Sequence, residues 1–208
     1  MIATPAPGRE PPAGVYVHVP FCASRCGYCD FAAVAGRDGA IPAYLDALEI
    51  EIGSFQREAP RAADTVFVGG GTPSRLPGRE IGRLLAAVRD RFAVAAGAEV
   101  TVEGNPESLT PGRLEDLALA GVTRVCVGVQ SLDDSVLRRA GRPHDARTAL
   151  DALRRALRGG FESVASDLIL GLPGEDLPRF GDTARRLADE GPDHVSVFLH
   201  STLSSLDV

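Results

Sequence analysis

The 208-residue chain contains no lysine, and all 22 of its basic residues are arginine. That absence excludes Schiff-base chemistry and the phosphate-binding loop whose motif needs a lysine before Ser or Thr. We attribute it, with the Ala- and Gly-rich usage, to a GC-rich coding bias. No apolar run approaches the roughly 18 residues that suggest a membrane span. The opening "MIATPAPGREPP" lacks the basic and apolar regions of a signal peptide. A net charge of -6 without a basic block excludes nucleic acid as an electrostatic partner. The chain is therefore expected in the cytoplasm, with no membrane span. There, its four cysteines suit metal or redox chemistry better than disulfides.

What is present is a regular alternation of β-branched runs with Arg/Ala/Leu stretches of helical spacing. Strands are predicted at 15–19, 65–70, 99–104, 124–131, 163–171 and 194–199. Helices are predicted at 41–55, 78–92, 111–121, 146–160 and 177–191, the first with Leu45, Leu48 and Ile52 on one face. Pro111 suits a first helical turn, and Gly121 and Gly159-Gly160 fall where helices should stop. Strict βα alternation implies parallel strands, hence an α/β sheet or barrel. Periodicity alone leaves a doubly wound sheet and an incomplete (β/α) barrel both open.

Three of the four cysteines, Cys22, Cys26 and Cys29, crowd into "FCASRCGYCDF" just after the first strand, with no fourth partner nearby. A structural zinc site needs four protein ligands, and His18 would have to turn back from its strand to supply one. A [4Fe-4S] cluster held by three thiolates leaves one iron for a substrate or cofactor. Zinc and fortuitous clustering are the other readings of the spacing. Cys126, on a central strand, reads as a small buried core residue.

Other residues suit a site at one end of the sheet. "GGGTPS" (69–74) is a Gly-rich turn after the second strand, Glu103 ends the third, Gln130 ends the fourth, and Asp167 lies earlier in the fifth, where it can point inward. In a barrel, the carboxyl ends of the strands share one rim. Each of these residues alone has an ordinary structural role, such as capping a helix. His144 reads as a surface loop residue and receives no role.

The cysteine loop with its aromatic before the last Cys resembles the radical S-adenosylmethionine signature, and "YVHVPFCASRCGYCDF" is similar to the HemN/HemW branch, the oxygen-independent coproporphyrinogen III oxidases and related haem chaperones. The resemblance implies an α/β fold that is an incomplete (β/α)6 TIM-like barrel of parallel strands. It implies a [4Fe-4S] cluster on Cys22, Cys26 and Cys29, with S-adenosylmethionine chelating the open iron. An electron from the cluster would cleave the sulfonium to methionine and a 5'-deoxyadenosyl radical. By matching position, Gly70, Gly71 and Thr72 would meet the methionine end of S-adenosylmethionine, and Tyr16, Glu103, Gln130, Arg142 and Asp167 would complete its contacts. Arg142 would meet the methionine carboxylate or a substrate propionate. The "NP" at Asn105-Pro106 also matches, though within "EGNP" instead of "EANP".

Asp30 follows Cys29, and Phe31 stands where HemN enzymes place an extra cysteine. This favours the haem chaperones, with haem or a porphyrinogen as ligand, a haem-recipient protein as partner and a low-potential electron donor. An oxidative decarboxylase and a non-catalytic remnant are the alternatives. The expected layout is a Pro-rich leader over 1–14, a radical core over 15–199 and a divergent tail over 200–208. The tail "HSTLSSLDV" lacks the C-terminal domain and "HNxxYW" motif of the family. Apolar surface uncovered there would favour self-association.

Overall fold

A computed structural model of the protein describes residues 13–55 and 62–200. The predicted leader and tail fall, except for residues 13, 14 and 200, outside the described residues. The elements in chain order are β1 (Gly14–Val19), β2 (Phe21–Cys22), β3 (Val34–Ala35), α1 (Ile41–Ser54), β4 (Ala63–Gly70), α2 (Gly78–Arg91) and β5 (Val94–Gly104). They continue with α3 (Pro111–Leu119), β6 (Arg124–Gln130), α4 (Asp134–Arg139), α5 (Ala146–Leu157), β7 (Ser163–Leu170), α6 (Leu177–Asp189) and β8 (His194–Leu199). Among the described residues no helix is long and apolar enough to cross a membrane.

The main sheet runs β1-β4-β5-β6-β7-β8, with every pairing parallel. This order settles the choice left open by periodicity. A doubly wound sheet reverses its strand order at a switch point, whereas here order in space equals order in sequence. With crossovers of one hand, all helices then fall on one face, and the other face is enclosed by the sheet's own curl. The fold is the incomplete six-stranded barrel.

Alternation along each strand separates two environments. Val17, Val19, Val66, Val68, Val100, Val102, Val125, Val127 and Val129 are buried against Leu45, Ile52, Leu84, Val88, Leu117, Leu153 and Leu187 of the helices. Their alternates, including Glu103, Cys126, Gly128, Gln130 and Asp167, face the barrel interior and line a cavity. Four of the helices, α3 to α6, start where a side chain replaces a missing backbone partner. Thr110 Oγ1 accepts from the Arg113 N–H, and Asp133, Asp145 and Asp176 cap α4, α5 and α6 in the same way.

Three features depart from the predicted elements. Strand β5 begins at Val94, five residues before the β-branched signal, because "VAAGA" carries little strand propensity yet pairs Val94 with Ala63 across a register shift. Helix α4 is a six-residue element, too short to show a period. The parallel pair β2–β3 closes the cysteine loop, and two-residue strands leave no alternation to read.

Candidate cluster and cofactor site

The cysteine loop is anchored mainly by its backbone. Val34 N–H donates to Pro20 O at 2.8 Å, Gly27 N–H to Ala140 O at 3.1 Å, and Cys29 N–H to Cys26 O at 3.2 Å. His18 adds a side-chain tie, its Nε2 lying 2.8 Å from Ala32 O. A carbonyl only accepts, so Nε2 carries the hydrogen, and Nδ1 lies 3.2 Å from the Tyr16 hydroxyl.

Cys22, Cys26 and Cys29 line one cavity of about 560 Å³ together with Gly70, Gly71, Thr72, Glu103, Gln130, Arg142 and Asp167. The convergence expected at a barrel rim is therefore present. Tyr16 stands outside the lining, 59% exposed, its ring stacked on Phe67 with centroids 6.0 Å apart. It is linked to the cysteine loop through His18. Its phenol is raised by burial and by the nearby Glu103 carboxylate.

Two cysteines receive hydrogen bonds suited to thiolates. Thr72 Oγ1 donates to Cys22 Sγ at 3.6 Å, and Arg142 Nη1 donates to Cys26 Sγ at 3.5 Å. Burial pushes the Cys22 thiol up and the Thr72 bond pulls it down, with the net shift upward. Loading with a cationic metal centre would reverse that balance, since a coordinating thiol is deprotonated outright. Among the described residues no group of three His, Cys, Asp or Glu side chains is gathered so as to hold a metal ion. A zinc site requires such a gathering around one ion. In a cubane cluster each cysteine binds a separate iron, so three thiolates spaced around a cavity and receiving hydrogen bonds fit that group.

Each glycine of the Gly-rich turn makes room for a protein neighbour. A Cβ on Gly69 would meet the Glu103 carboxylate at 2.8 Å, one on Gly70 the His18 ring at 2.6 Å, and one on Gly71 the Pro20 carbonyl carbon at 2.7 Å. Gly70 also has φ +117°, in a region that favours glycine. Gly71 N–H and Thr72 N–H bond to Val19 O and Phe21 O at 2.8 and 2.9 Å. The turn is thus stitched to the root of the cysteine loop as well as exposed to the cavity.

On the barrel floor, Glu103 pairs in register with Cys126, and Asp167 with Ser196. Glu103 Oε2 accepts the Gly70 N–H at 3.1 Å, and Cys126 Sγ donates to Asp167 Oδ2 at 3.2 Å. Burial raises both carboxyls, against the Gly70 bond for Glu103 and the Cys126 bond for Asp167. It likewise raises the Cys126 thiol, with Asp167 adding to the effect. Cys126 is buried, as expected of a small core residue, and in addition it lines the cavity and donates to Asp167.

Gln130 has φ +68°, the one non-glycine residue with positive φ among those described. Ser131 N–H donates back to Val129 O at 2.9 Å, closing a γ-turn of the rare left-handed kind around Gln130. Such a conformation costs about 1–3 kcal/mol and concentrates at functional sites. The buried Oε1 of Gln130 has no hydrogen-bond partner.

Arg142 joins the parts. Besides Cys26, it donates to Tyr28 Oη at 3.3 Å, Asn105 Oδ1 at 2.8 Å and Gly128 O at 3.0 Å. Burial alone would lower its guanidinium, but Tyr28 and Cys26 beside it produce a net rise. Burial pushes the Tyr28 phenol up, so it stays protonated. Asn105 Nδ2 continues the chain to Thr72 Oγ1 at 3.1 Å. From the sequence, Cys126 and His144 had no site role, His18 was weighed only as a zinc ligand, and Asn105 stood only within the matching NP motif. Alternation along β6 from Gln130 was a usable signal for Cys126, and the NP motif was the one signal for Asn105, whose contacts join distant loops. His144 is buried, contrary to its reading as a surface residue.

A family model described as the Radical SAM superfamily matches residues 16–187. The heme chaperone HemW of Mycobacterium tuberculosis (strain H37Rv) is 45% identical over 202 residues, covering 93% of this chain and 50% of that protein. The heme chaperone HemW of Escherichia coli (strain K12) is 37% identical over 193 residues, covering 90% and 50%. The solved structure of the coproporphyrinogen III oxidase HemN from Escherichia coli superposes with a TM-score of 0.82 at 35% identity, covering 93% of this chain and 45% of that one. The chain thus spans about half the length of the curated relatives it matches.

Proposed function

The chain belongs to the radical SAM superfamily, and from that premise we propose that Cys22, Cys26 and Cys29 hold a [4Fe-4S] cluster beside bound S-adenosylmethionine, in a HemW-like haem chaperone. The observation that carries this reading is the single cavity shared by the three cysteines and the acceptor-rich rim of Glu103, Gln130 and Asp167. When bound, cluster and S-adenosylmethionine together supply one-electron cleavage of a sulfonium, with the electron delivered by a low-potential donor. The chain's own residues bind and orient. Thr72 and Arg142 hydrogen-bond Cys22 and Cys26, Gln130 Oε1 offers an acceptor to the adenosine, and the two floor carboxyls suit ribose hydroxyls. The radical core is assigned to residues 15–199. The cytoplasmic reading rests on the need of half-buried cluster thiols for a reducing compartment.

A coproporphyrinogen oxidase is the weaker reading, because Phe31 stands at the position of that enzyme's additional cysteine. Haem as cargo, and a recipient protein for it, follow from the HemW relatives. Phe198 and Leu199, 54% and 73% exposed beside the cavity, support an apolar ligand or a second copy along β8. Anaerobic reconstitution tests the whole reading: about four irons per chain, release of methionine and 5'-deoxyadenosine with dithionite, and stoichiometric haem binding without porphyrinogen decarboxylation. Decarboxylation would select the oxidase. A colourless protein that takes up only zinc would overturn both.

A further inference from the structure

Two consecutive carbonyls at the end of β6 are gripped from one short segment. Gly128 O accepts from Arg142 Nη2 at 3.0 Å, and Val129 O accepts from His144 Nε2 at 3.2 Å. Pro143 lies between the two donors, and its ring restricts the segment's φ. Val129 O is also the carbonyl that closes the γ-turn over Gln130, so both of its lone pairs are engaged. Because a carbonyl only accepts, Nε2 of His144 must carry the hydrogen. The His144 side chain is wholly buried, and its Nδ1 faces Glu107 Oε2 at 3.5 Å, an ion-pair distance, with neither atom in a hydrogen bond. Glu107 itself is held below the ordinary carboxylate range by His144 and Arg142, in spite of its burial. His144 does not line the cavity, so its polar atoms act on the turn and not on a ligand.

We propose that His144, backed by Glu107, is a positioning residue that clamps the left-handed γ-turn and thereby aims the Gln130 carboxamide into the cofactor cavity. This rests on reading that cavity as the S-adenosylmethionine site. The conformation at Gln130 is intrinsically unfavourable, so it persists only where its flanking carbonyls are held. Arg142 holds one of them and His144 the other. Losing His144 removes one donor from Val129 O and lets Gln130 relax toward negative φ, turning its amide away.

The test uses cluster-loaded protein and two readouts: S-adenosylmethionine titration of the reduced-cluster EPR signal, and hydrogen exchange at the Ser131 amide. His144→Ala should keep its iron, need about tenfold more S-adenosylmethionine, and exchange Ser131 faster than wild type. His144→Gln, whose amide N–H reaches close to the place of Nε2, should restore most of both. If the alanine variant does not fold, Glu107→Gln keeps the imidazole volume in place and should shift both readouts in the same direction, more weakly. Unchanged titration and unchanged Ser131 exchange in these variants would overturn the proposal. A wild-type protein blind to S-adenosylmethionine would instead remove the cofactor reading, and the exchange data would still decide the clamp.

Discussion

The cysteine loop and the barrel rim supply the two halves of one cavity, yet they are built differently. The rim is set by the sheet: Glu103, Gln130 and Asp167 sit on strands whose opposite faces pack into the main core, and Arg142 is held by three other segments. The loop has a two-residue pairing, a few backbone bonds and an exposed Phe31. The rim is thus organised by the sheet itself, whereas under the proposed function the loop would gain order from what its cysteines bind. Metal-ligand energy becomes folding energy where a preformed site is lacking.

That contrast is broken most completely by removing a cysteine. Cys22→Ala, Cys26→Ala or Cys29→Ala should each reduce reconstituted iron to background while leaving the far-ultraviolet circular dichroism of the barrel unchanged. A collapse of the whole fold would mean that loop and rim are one cooperative unit. Next in size is Arg142→Ala, which strips partners from Cys26, Tyr28, Asn105 and Gly128. It should destabilise the cluster-free protein by about 3 kcal/mol in urea unfolding, because Arg142 belongs to the rim as much as to the site.

Gly71→Ala sharpens the comparison at the seam. Its Cβ would lie 2.7 Å from the Pro20 carbonyl carbon, so overpacking should cost about 2 kcal/mol and loosen the root of the cysteine loop. Proteolytic nicking within residues 22–35, faster than elsewhere in the chain, reads that outcome.

The smallest effect concerns the floor. Burial raises Asp167, and Glu103 with it, so the folded state holds these protons more tightly than the unfolded chain. Stability then falls as pH climbs from the ordinary carboxylate range through the raised folded values. Asp167→Asn removes that penalty. The cluster-free variant should melt above wild type at neutral pH, and the two should converge in acid, below the ordinary aspartate value. A variant melting below wild type at every pH would show that the Cys126–Asp167 bond outweighs desolvation.

The sequence made the parallel strands legible because β-branched runs recur with a stretch of helical spacing between them. The rim was legible because Glu103, Gln130 and Asp167 interrupt those runs with polar residues. The choice of barrel over doubly wound sheet was not local, since it depends on which strands pair. The γ-turn at Gln130 was hidden for a similar reason: glutamine carries no preference for positive φ, and its conformation is imposed by Ser131, Arg142 and His144 from outside. Tyr16 was legible by motif position alone: period-2 geometry on the edge strand β1 gives it the same face as Glu103, outside the cavity lining and hydrogen-bonded to His18.

The central claim is that three thiolates and the strand-end rim serve one reaction centre with an iron left for an external ligand. EPR of the anaerobically reconstituted, dithionite-reduced protein, with and without S-adenosylmethionine, tests it most directly. The account predicts a [4Fe-4S]+ signal whose g values move when S-adenosylmethionine is added. A cluster signal indifferent to S-adenosylmethionine would contradict it.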